Sequence, residues 1–247
     1  MKNLFRLLPV AVLVATAADA KPVLPNFDPA NFVQGQPIDN PYFPLAKGFV
    51  REYSGEVQDA NGETVIERVV MQFVGPGPVL AGVATWEMTD LAYVGDLNVE
   101  QTRDYYAQDK DGNVWYMGED VKNIQYDAEG KVAGTDSHGT WRAGVNDALP
   151  GYQMLAHPKT DFAYEQEHSP KDEAMDTGEI MDVNLTMPGK LGPYSNVVAI
   201  FEASSIETTL REIKYYAPGI GLIGEDESVD ENRQNPEAHF DLIRMSN

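Results

Sequence analysis

The chain of 247 residues contains no cysteine, which excludes a disulfide framework, a cysteine-ligated metal site and a cysteine nucleophile. Basic residues are scarce as well: 18 Lys and Arg stand against 39 Asp and Glu, for a formal net charge of -21. Nucleic acids and anionic membrane surfaces both need a basic footprint, so the composition argues against either partner. An acidic surface instead keeps a protein soluble and attracts cations.

Long apolar runs are also missing. No apolar stretch after the N-terminus approaches the ~18 residues that a membrane span needs. The N-terminus itself has the pattern of an export signal. Lys2 and Arg6 precede an apolar run over residues 7–18, and Ala18 and Ala20 place small residues at the two positions that a signal peptidase reads. The sequence therefore predicts a signal peptide over residues 1–20 and export to the periplasm or the extracellular medium.

The sequence also lacks apolar residues repeated at a helical period. It contains instead short β-prone runs separated by turns. We divide the rest of the chain into an extended lead-in rich in Pro and Asn (21–47) and a single β domain (48–247) with about eleven strands. Strand candidates carry apolar residues on both faces, as with Val65 and Val69 against Ile66 and Val70. This pattern favours an all-β fold with a strongly curved antiparallel sheet, a barrel or half-barrel, and a long central loop over residues 134–160.

Four segments carry a resemblance to known proteins: NPYFPL (40–45), YAQDKDGNVWYMGE (106–119), GTWRAGV (139–145) and KYYAPGIGL (214–222). Together they are similar to a group of secreted bacterial hypothetical proteins. The last segment also resembles the closing hairpin of periplasmic half-barrel domains related to lipoprotein-carrier folds. The resemblance spans most of the chain after the signal peptide. It implies export and an antiparallel β-fold, and it implies no activity.

The central loop predicts a binding function, because long loops in compact domains often cover a pocket. Aromatic and apolar residues in and near this loop are the candidates for contact with a ligand: Trp115, Tyr116, Trp141, Tyr152 and Met154. The leading hypothesis is a secreted, non-catalytic protein with a loop-covered pocket for an apolar or mixed small ligand.

A secreted hydrolase acting on a polysaccharide or an ester is the alternative from another class. Paired carboxyls with a general base could cleave such bonds, and the candidates are Glu119, Glu165, Glu167, His138 and His157. Glu165 and Glu167 are expected to share one face of a strand. The sequence contains neither an HExxH nor a GxSxG motif. The question of catalysis therefore stays open and leans towards a binding protein.

A calcium-stabilised structural or surface module is the third hypothesis. Asp109, Asp111 and Asn113 alternate through a turn that contains Gly112, and alternating oxygen ligands suit calcium. The spacing differs from that of an EF-hand, and a tight hairpin turn explains the same residues. Calcium is the one cofactor that the sequence leaves open, and the oligomeric state is not indicated.

Overall fold

The structure, a computed structural model, describes residues 21–58 and 62–246. The predicted signal peptide over residues 1–20 lies outside the described residues. A 3-10 turn over Pro29–Asn31 precedes the strands. The strands are β1 (Val50–Gln58), β2 (Thr64–Leu80), β3 (Val83–Val94), β4 (Leu97–Gln108), β5 (Val114–Tyr126), β6 (Val132–Asp136), β7 (Trp141–Arg142), β8 (Leu149–Met154), β9 (Phe162–Glu165), β10 (Glu167–His168), β11 (Asp176–Met187), β12 (Tyr194–Ser204), β13 (Arg211–Ala217), β14 (Gly221–Glu227) and β15 (Ala238–Ser246).

The strands form one sheet in the order β10-β8-β5-β4-β3-β2-β1-β15-β14-β13-β12-β11-β9, with β6 and β7 added along β5. Each pair of neighbouring strands is antiparallel, and most neighbours in the sheet are neighbours in the chain. The prediction of an all-β fold with a strongly curved antiparallel sheet is confirmed. Long-range pairing of β1 with β15 joins the first and last strands at the middle of the sheet.

The sheet curves until its two edges meet in the segment over residues 162–168. β9 pairs with β11 on one side, and β10, only one residue further along, pairs with β8 on the other. Gly151 of β8 permits this approach, because a Cβ atom there would lie 1.9 Å from the carbonyl oxygen of Glu165. The sheet is therefore nearly closed into a barrel.

The described chain has fifteen strands rather than about eleven. The additional ones are short, and β7 and β10 have only two residues each, too few to show a period of two in the sequence. Residues 134–160, where the sequence indicates a long loop, contribute β7 and β8 to the wall of the barrel between their connecting loops.

The lead-in lies across one end of the barrel and is fixed there by hydrogen bonds to several turns. The side-chain amide of Asn40 donates to the carbonyls of Gly112 and Leu155, at 3.0 and 3.1 Å. The carbonyl of Pro41 accepts from the amide of Gly219 at 2.7 Å. Since these partners belong to three separate connections, the lead-in ties the turns together at this end.

Arg51 on β1 is a second tie at the same end. Its side chain is almost fully buried, and its guanidinium donates to the backbone carbonyls of Ile220, Ser246 and Val50 at 2.7–3.1 Å. Each of these partly exposed carbonyls thereby gains a protein hydrogen-bond donor. Arg51 thus links β1, the β13–β14 turn and the C-terminal end of β15.

Apolar residues occur on both faces of β5 because two hydrophobic clusters flank it. Tyr116 packs against the larger cluster, which lies inside the barrel and includes Phe240 and Leu242. Trp115 and Met117 point the other way, into a second cluster that the lead-in and the β7 region cover. The two-faced pattern thus reflects a sheet that is covered on both sides here.

Candidate functional site

The barrel encloses a cavity of about 320 Å³, a size suited to a small ligand. Its lining is acidic. Eight carboxyl side chains contribute to it: Asp90, Glu100, Asp104, Glu119, Glu167, Asp176, Glu202 and Glu212. Lys214 is the one basic side chain among the described residues that line the cavity. Tyr106, Tyr116 and Tyr216 add aromatic surface, and Phe43 of the lead-in lies at the covered end.

The polar lining follows from the alternation of side chains on two strands. On β4, the cavity-facing residues are every second one: Glu100, Thr102, Asp104 and Tyr106. The same period places Glu212, Lys214 and Tyr216 on the inner face of β13. These polar residues were missed in the sequence, although their period of two was visible there. Polar alternation normally marks the face of a sheet that meets solvent, and only closure of the sheet turns this face inward.

A β-bulge on β5 brings two further residues to the cavity. Tyr105 pairs with Gly118 and Tyr106 pairs with Tyr116, so β5 has one extra residue, Met117, at this point. Gly118 has a φ of 142°, and a Cβ atom there would lie 2.6 Å from the carbonyl oxygen of Trp141. Tyr116 and Glu119 therefore both line the cavity although they are three residues apart.

One group in the lining, which we call the lysine end, consists of Glu202, Glu212 and Lys214. The ammonium group of Lys214 lies 2.7 Å from Oε2 of Glu202 and 3.3 Å from Oε1 of Glu212. Gln166 donates from its amide to Oε1 of Glu202 at 2.8 Å. Burial lowers the pKa of Lys214, but the two carboxylates outweigh this effect and hold the pKa well above its ordinary value. The lysine end is thus an internally compensated ion cluster.

A second group in the lining, which we call the four-carboxyl cluster, consists of Asp104, Glu119, Glu167 and Asp176. Burial raises the pKa of Asp104 to about 7, and the charge of Glu100 adds to the rise, while a 2.8 Å hydrogen bond from the hydroxyl of Tyr116 opposes it. Burial, followed by the charges of neighbouring carboxyls, also raises the pKa values of Glu119 and Glu167 well above the ordinary range. Burial and mutual repulsion thus favour the protonated forms of Asp104, Glu119 and Glu167.

Glu167 is connected to its surroundings through two neighbouring side chains. It is only 5% exposed, and its carboxyl interacts with the carboxyl of Asp176 and with the indole of Trp141. After burial and the charges of neighbouring carboxyls, the hydrogen bond with Asp176 also raises the pKa of Glu167, because two carboxyls can share a hydrogen bond only when one of them is protonated, whereas the indole opposes the rise. Glu167 also lines the cavity.

The residues predicted to contact a ligand divide between the cavity and the core. Tyr116 lines the cavity. Trp115, Trp141 and Met154 are buried in the hydrophobic clusters, and Tyr152 packs against them at 4.6 Å between the ring centroids of Tyr152 and Trp115. The structure therefore gives four of these five aromatic and apolar residues a packing role.

The catalytic candidates are likewise divided. Glu119 and Glu167 meet in the cavity, whereas Glu165 lies outside its lining and pairs with His168. Glu165 and Glu167 thus do not share one face, because the chain passes from β9 to β10 between them. His138 is exposed and lies 3.7 Å from Glu173, and His157 is also exposed.

The predicted calcium loop is a hydrogen-bonded hairpin turn. Oδ1 of Asp109 accepts from the amides of Asp111 and Asn113, at 3.0 and 2.9 Å. Its Oδ2 accepts from the side-chain amide of Asn113 and from the indole of Trp115, at 2.9 and 2.8 Å. Both carboxylate oxygens of Asp109 are therefore engaged. Across the described ranges, no group of three or more His, Asp or Glu side chains is placed to hold a metal ion.

Comparison with known proteins gives two solved structures of low similarity. No family model matches the chain, and no curated protein matches it. A candidate exported protein with a YmcC-like fold from Bacteroides fragilis is 14% identical, with a TM-score of 0.39; the match covers 83% of this chain and 99% of that one. A candidate lipoprotein from Parabacteroides distasonis is 13% identical, with a TM-score of 0.36; the match covers 83% of this chain and 97% of that one. In the part of the chain that the structure describes, no helix has the length and apolar character of a membrane span.

Proposed function

We propose that the protein is an exported, non-catalytic binding protein that holds a small molecule in the cavity of its barrel. The observation that carries the proposal is the cavity itself, which has a volume of about 320 Å³ and is lined by polar and aromatic side chains inside the barrel. The signal peptide predicted from the sequence supports export. Either the periplasm or the extracellular medium would then be its location.

The lining favours a ligand of mixed character over a purely apolar one. Met71, Met88 and Leu222 offer apolar contact, and Phe43 adds an aromatic ring at the covered end. The eight carboxyl groups surround the remaining space, and an apolar molecule would displace water from them without replacing its hydrogen bonds. A ligand with hydrogen-bond donors on an apolar body fits both parts of the lining.

Capture of small molecules from an extract of the producing cells tests the proposal. Protein expressed from the full chain is incubated with the extract and washed, and retained molecules are identified by mass spectrometry. The control is Thr102→Trp, which fills the cavity at a buried position of β4; Leu210→Trp, at a partly exposed lining position, replaces it if the first variant does not fold. The wild type should retain a molecule that the folded control does not. Equal retention by both proteins, or no retention by the wild type, would overturn the proposal.

A hydrolase remains the second candidate function because Glu119 and Glu167 line the same cavity. Acid–base cleavage of a glycosidic bond uses two carboxyls, one protonated as the acid and the other ionised as the base or nucleophile. The raised pKa values of Glu119 and Glu167 suit the acid role. None of the described lining residues is a histidine, so this mechanism would rely on carboxyls alone. Product formation from a panel of glycosides and esters, abolished by Glu119→Gln, would favour the hydrolase over the binding protein.

A further inference from the structure

The lead-in covers one end of the cavity, and the start of β13 lies at the opposite end. At the covered end, Phe43 lines the cavity and the carbonyl of Pro41 accepts from the amide of Gly219, just after β13. Because β13 rises about 3.3 Å per residue over Arg211–Ala217, its first residue lies roughly 20 Å from the covered end. Leu210, which precedes β13, lines the cavity at this opposite end.

A surface cleft of about 290 Å³ adjoins the cavity beside the start of β13. Its lining includes the exposed residues Glu207, Thr209 and Ser228. Leu210 and Glu212 line both the cleft and the cavity, and both are partly exposed. These two side chains therefore separate the cavity from a cleft that is open to solvent.

Glu212 is held in place by ion pairs, whereas Leu210 is not packed into the core. Oε1 of Glu212 lies 3.3 Å from the ammonium group of Lys214, which also contacts Glu202 at 2.7 Å. Leu210 belongs to none of the three hydrophobic clusters that the described residues form. An apolar side chain outside these clusters can turn aside with little loss of packing.

The turn between β12 and β13, over residues 205–210, is itself weakly attached. Most of its side chains are exposed. Among the described residues, the hydrogen bonds from Ile206 onward stay local: the amides of Ile206 and Glu207 donate to the hydroxyl of Ser204, and the amide of Leu210 donates to the carbonyl of Glu207, at 2.9–3.4 Å. A segment with exposed side chains and local hydrogen bonds opens at a low cost in free energy.

We propose that Leu210 is the gate of the cavity, and that a ligand enters between Leu210 and Glu212 when the turn over residues 205–210 moves outward. Leu210 then limits the size of the molecules that reach the interior. The inference rests on the proposed function, because an entrance matters only where the cavity takes up a molecule.

The absence of cysteine from the chain allows a direct test, since a single cysteine inside the cavity reports access to it. Thr102 is buried and lines the cavity, so Thr102→Cys supplies this thiol; Met88→Cys replaces it if the first variant does not fold. The rate of labelling is measured with methyl methanethiosulfonate and with the bulkier benzyl methanethiosulfonate, both uncharged. Added Leu210→Ala should raise the rate by roughly tenfold or more and should favour the bulkier reagent, whereas Leu210→Trp should lower it by a similar factor.

Leu191→Ala is the matched control, because Leu191 is an exposed leucine in the turn between β11 and β12, outside the lining of both the cavity and the cleft. It should leave both labelling rates unchanged. Rates that Leu210→Ala leaves unchanged, or that Leu191→Ala raises equally, overturn the inference. So does an equal acceleration of both reagents by Leu210→Ala, which global unfolding would give. Acceleration by Phe43→Ala alone would place the entrance at the covered end and likewise overturn it.

The failure of the inference differs from the failure of the proposed function. Labelling that responds to Leu210, with nothing retained in the extract experiment, supports the entrance and overturns the proposed function. Retention of a molecule, with labelling that does not respond to Leu210, overturns the entrance and supports the proposed function.

Discussion

Asp104 provides a test of the electrostatics of the cavity that needs no ligand. Its side chain is 5% exposed and accepts a 2.8 Å hydrogen bond from the hydroxyl of Tyr116. Burial and the charge of Glu100 raise its pKa from an ordinary 3.8 to about 7. Asparagine has nearly the same shape and retains the acceptor for Tyr116, but it cannot ionise. Asp104→Asn therefore removes the charge and little else.

The sign and size of the effect follow from proton linkage. Between pH 3.8 and about 7, the folded protein holds a proton on Asp104 that the unfolded chain has released. The free energy of unfolding consequently falls as the pH rises through this interval, by about 1.4 kcal/mol for each pH unit. The full loss is about 4 kcal/mol above pH 7, and it is absent below pH 3.8, where both states are protonated.

Urea unfolding of the ligand-free wild type and of Asp104→Asn at pH 8 and pH 4 measures this difference. At pH 8 the variant should be more stable by up to about 4 kcal/mol, and at pH 4 the two proteins should be nearly equal. A variant that is less stable at pH 8 would refute the reasoning. So would a difference that does not change between the two pH values, because the gain would then come from packing.

Asp120→Asn is the matched control, since Asp120 lies on the adjacent strand and is paired. Burial raises the pKa of Asp120, but hydrogen bonds from Arg142 and Tyr105 outweigh this and lower it below its ordinary value. Nε of Arg142 and Oη of Tyr105 lie 2.9 and 2.7 Å from its oxygens. The ionised form stabilises the fold above pH 3.8, and this contribution is lost as the pH falls through the lowered pKa. Asp120→Asn should therefore destabilise the protein at pH 8, opposite to Asp104→Asn.

Three further substitutions test the fold and the hairpin turn. Gly151→Ala should destabilise the protein by several kcal/mol in thermal or urea unfolding, because its Cβ would overlap the carbonyl oxygen of Glu165; an unchanged melting temperature would contradict the described closure. Arg51→Met should cost about 3 kcal/mol in urea unfolding, since it removes the hydrogen bonds that link β1, the β13–β14 turn and β15. A loss under about 1 kcal/mol would show that water replaces the guanidinium at these carbonyls. Asp109→Ala should lower the melting temperature equally with calcium and with chelator, because it removes the hydrogen bonds that Asp109 accepts within the turn. Asp111→Ala should change the melting temperature little. If calcium stabilises the wild type and neither variant, the calcium hypothesis is restored.

Much of the fold could be predicted from the sequence, because the signals are local. Turn residues between β-prone runs predict the two long meanders of antiparallel strands, β1–β5 and β11–β15. Apolar residues on both faces predict strong curvature. The choice between a barrel and a half-barrel could not be made from the sequence, since closure depends on the two-residue pairing of β10 with β8 and on the absence of a side chain at Gly151. Such contacts have no pattern in the sequence.

The candidate site could be predicted only in part, for a related reason. Tyr116, Glu119 and Glu167 were candidates from the sequence and do line the cavity. Asp104 and Lys214 were missed because alternating polar residues on an antiparallel strand normally face solvent. The bulge at Met117 also lies outside any regular period. A glycine inside a strand, Gly118, was the one local sign of it.

The acidic interior is unfavourable for folding, so the architecture of the barrel does not explain why these carboxyls are there. A barrel of this size could fill its interior with apolar side chains, as the cluster around Phe240 and Leu242 does at the covered end. Asp104 and Glu119 instead add desolvated carboxyls that repel one another and lower the free energy of unfolding at neutral pH. On the proposed function, a ligand that donates hydrogen bonds to these carboxyls would restore part of the stability that they cost.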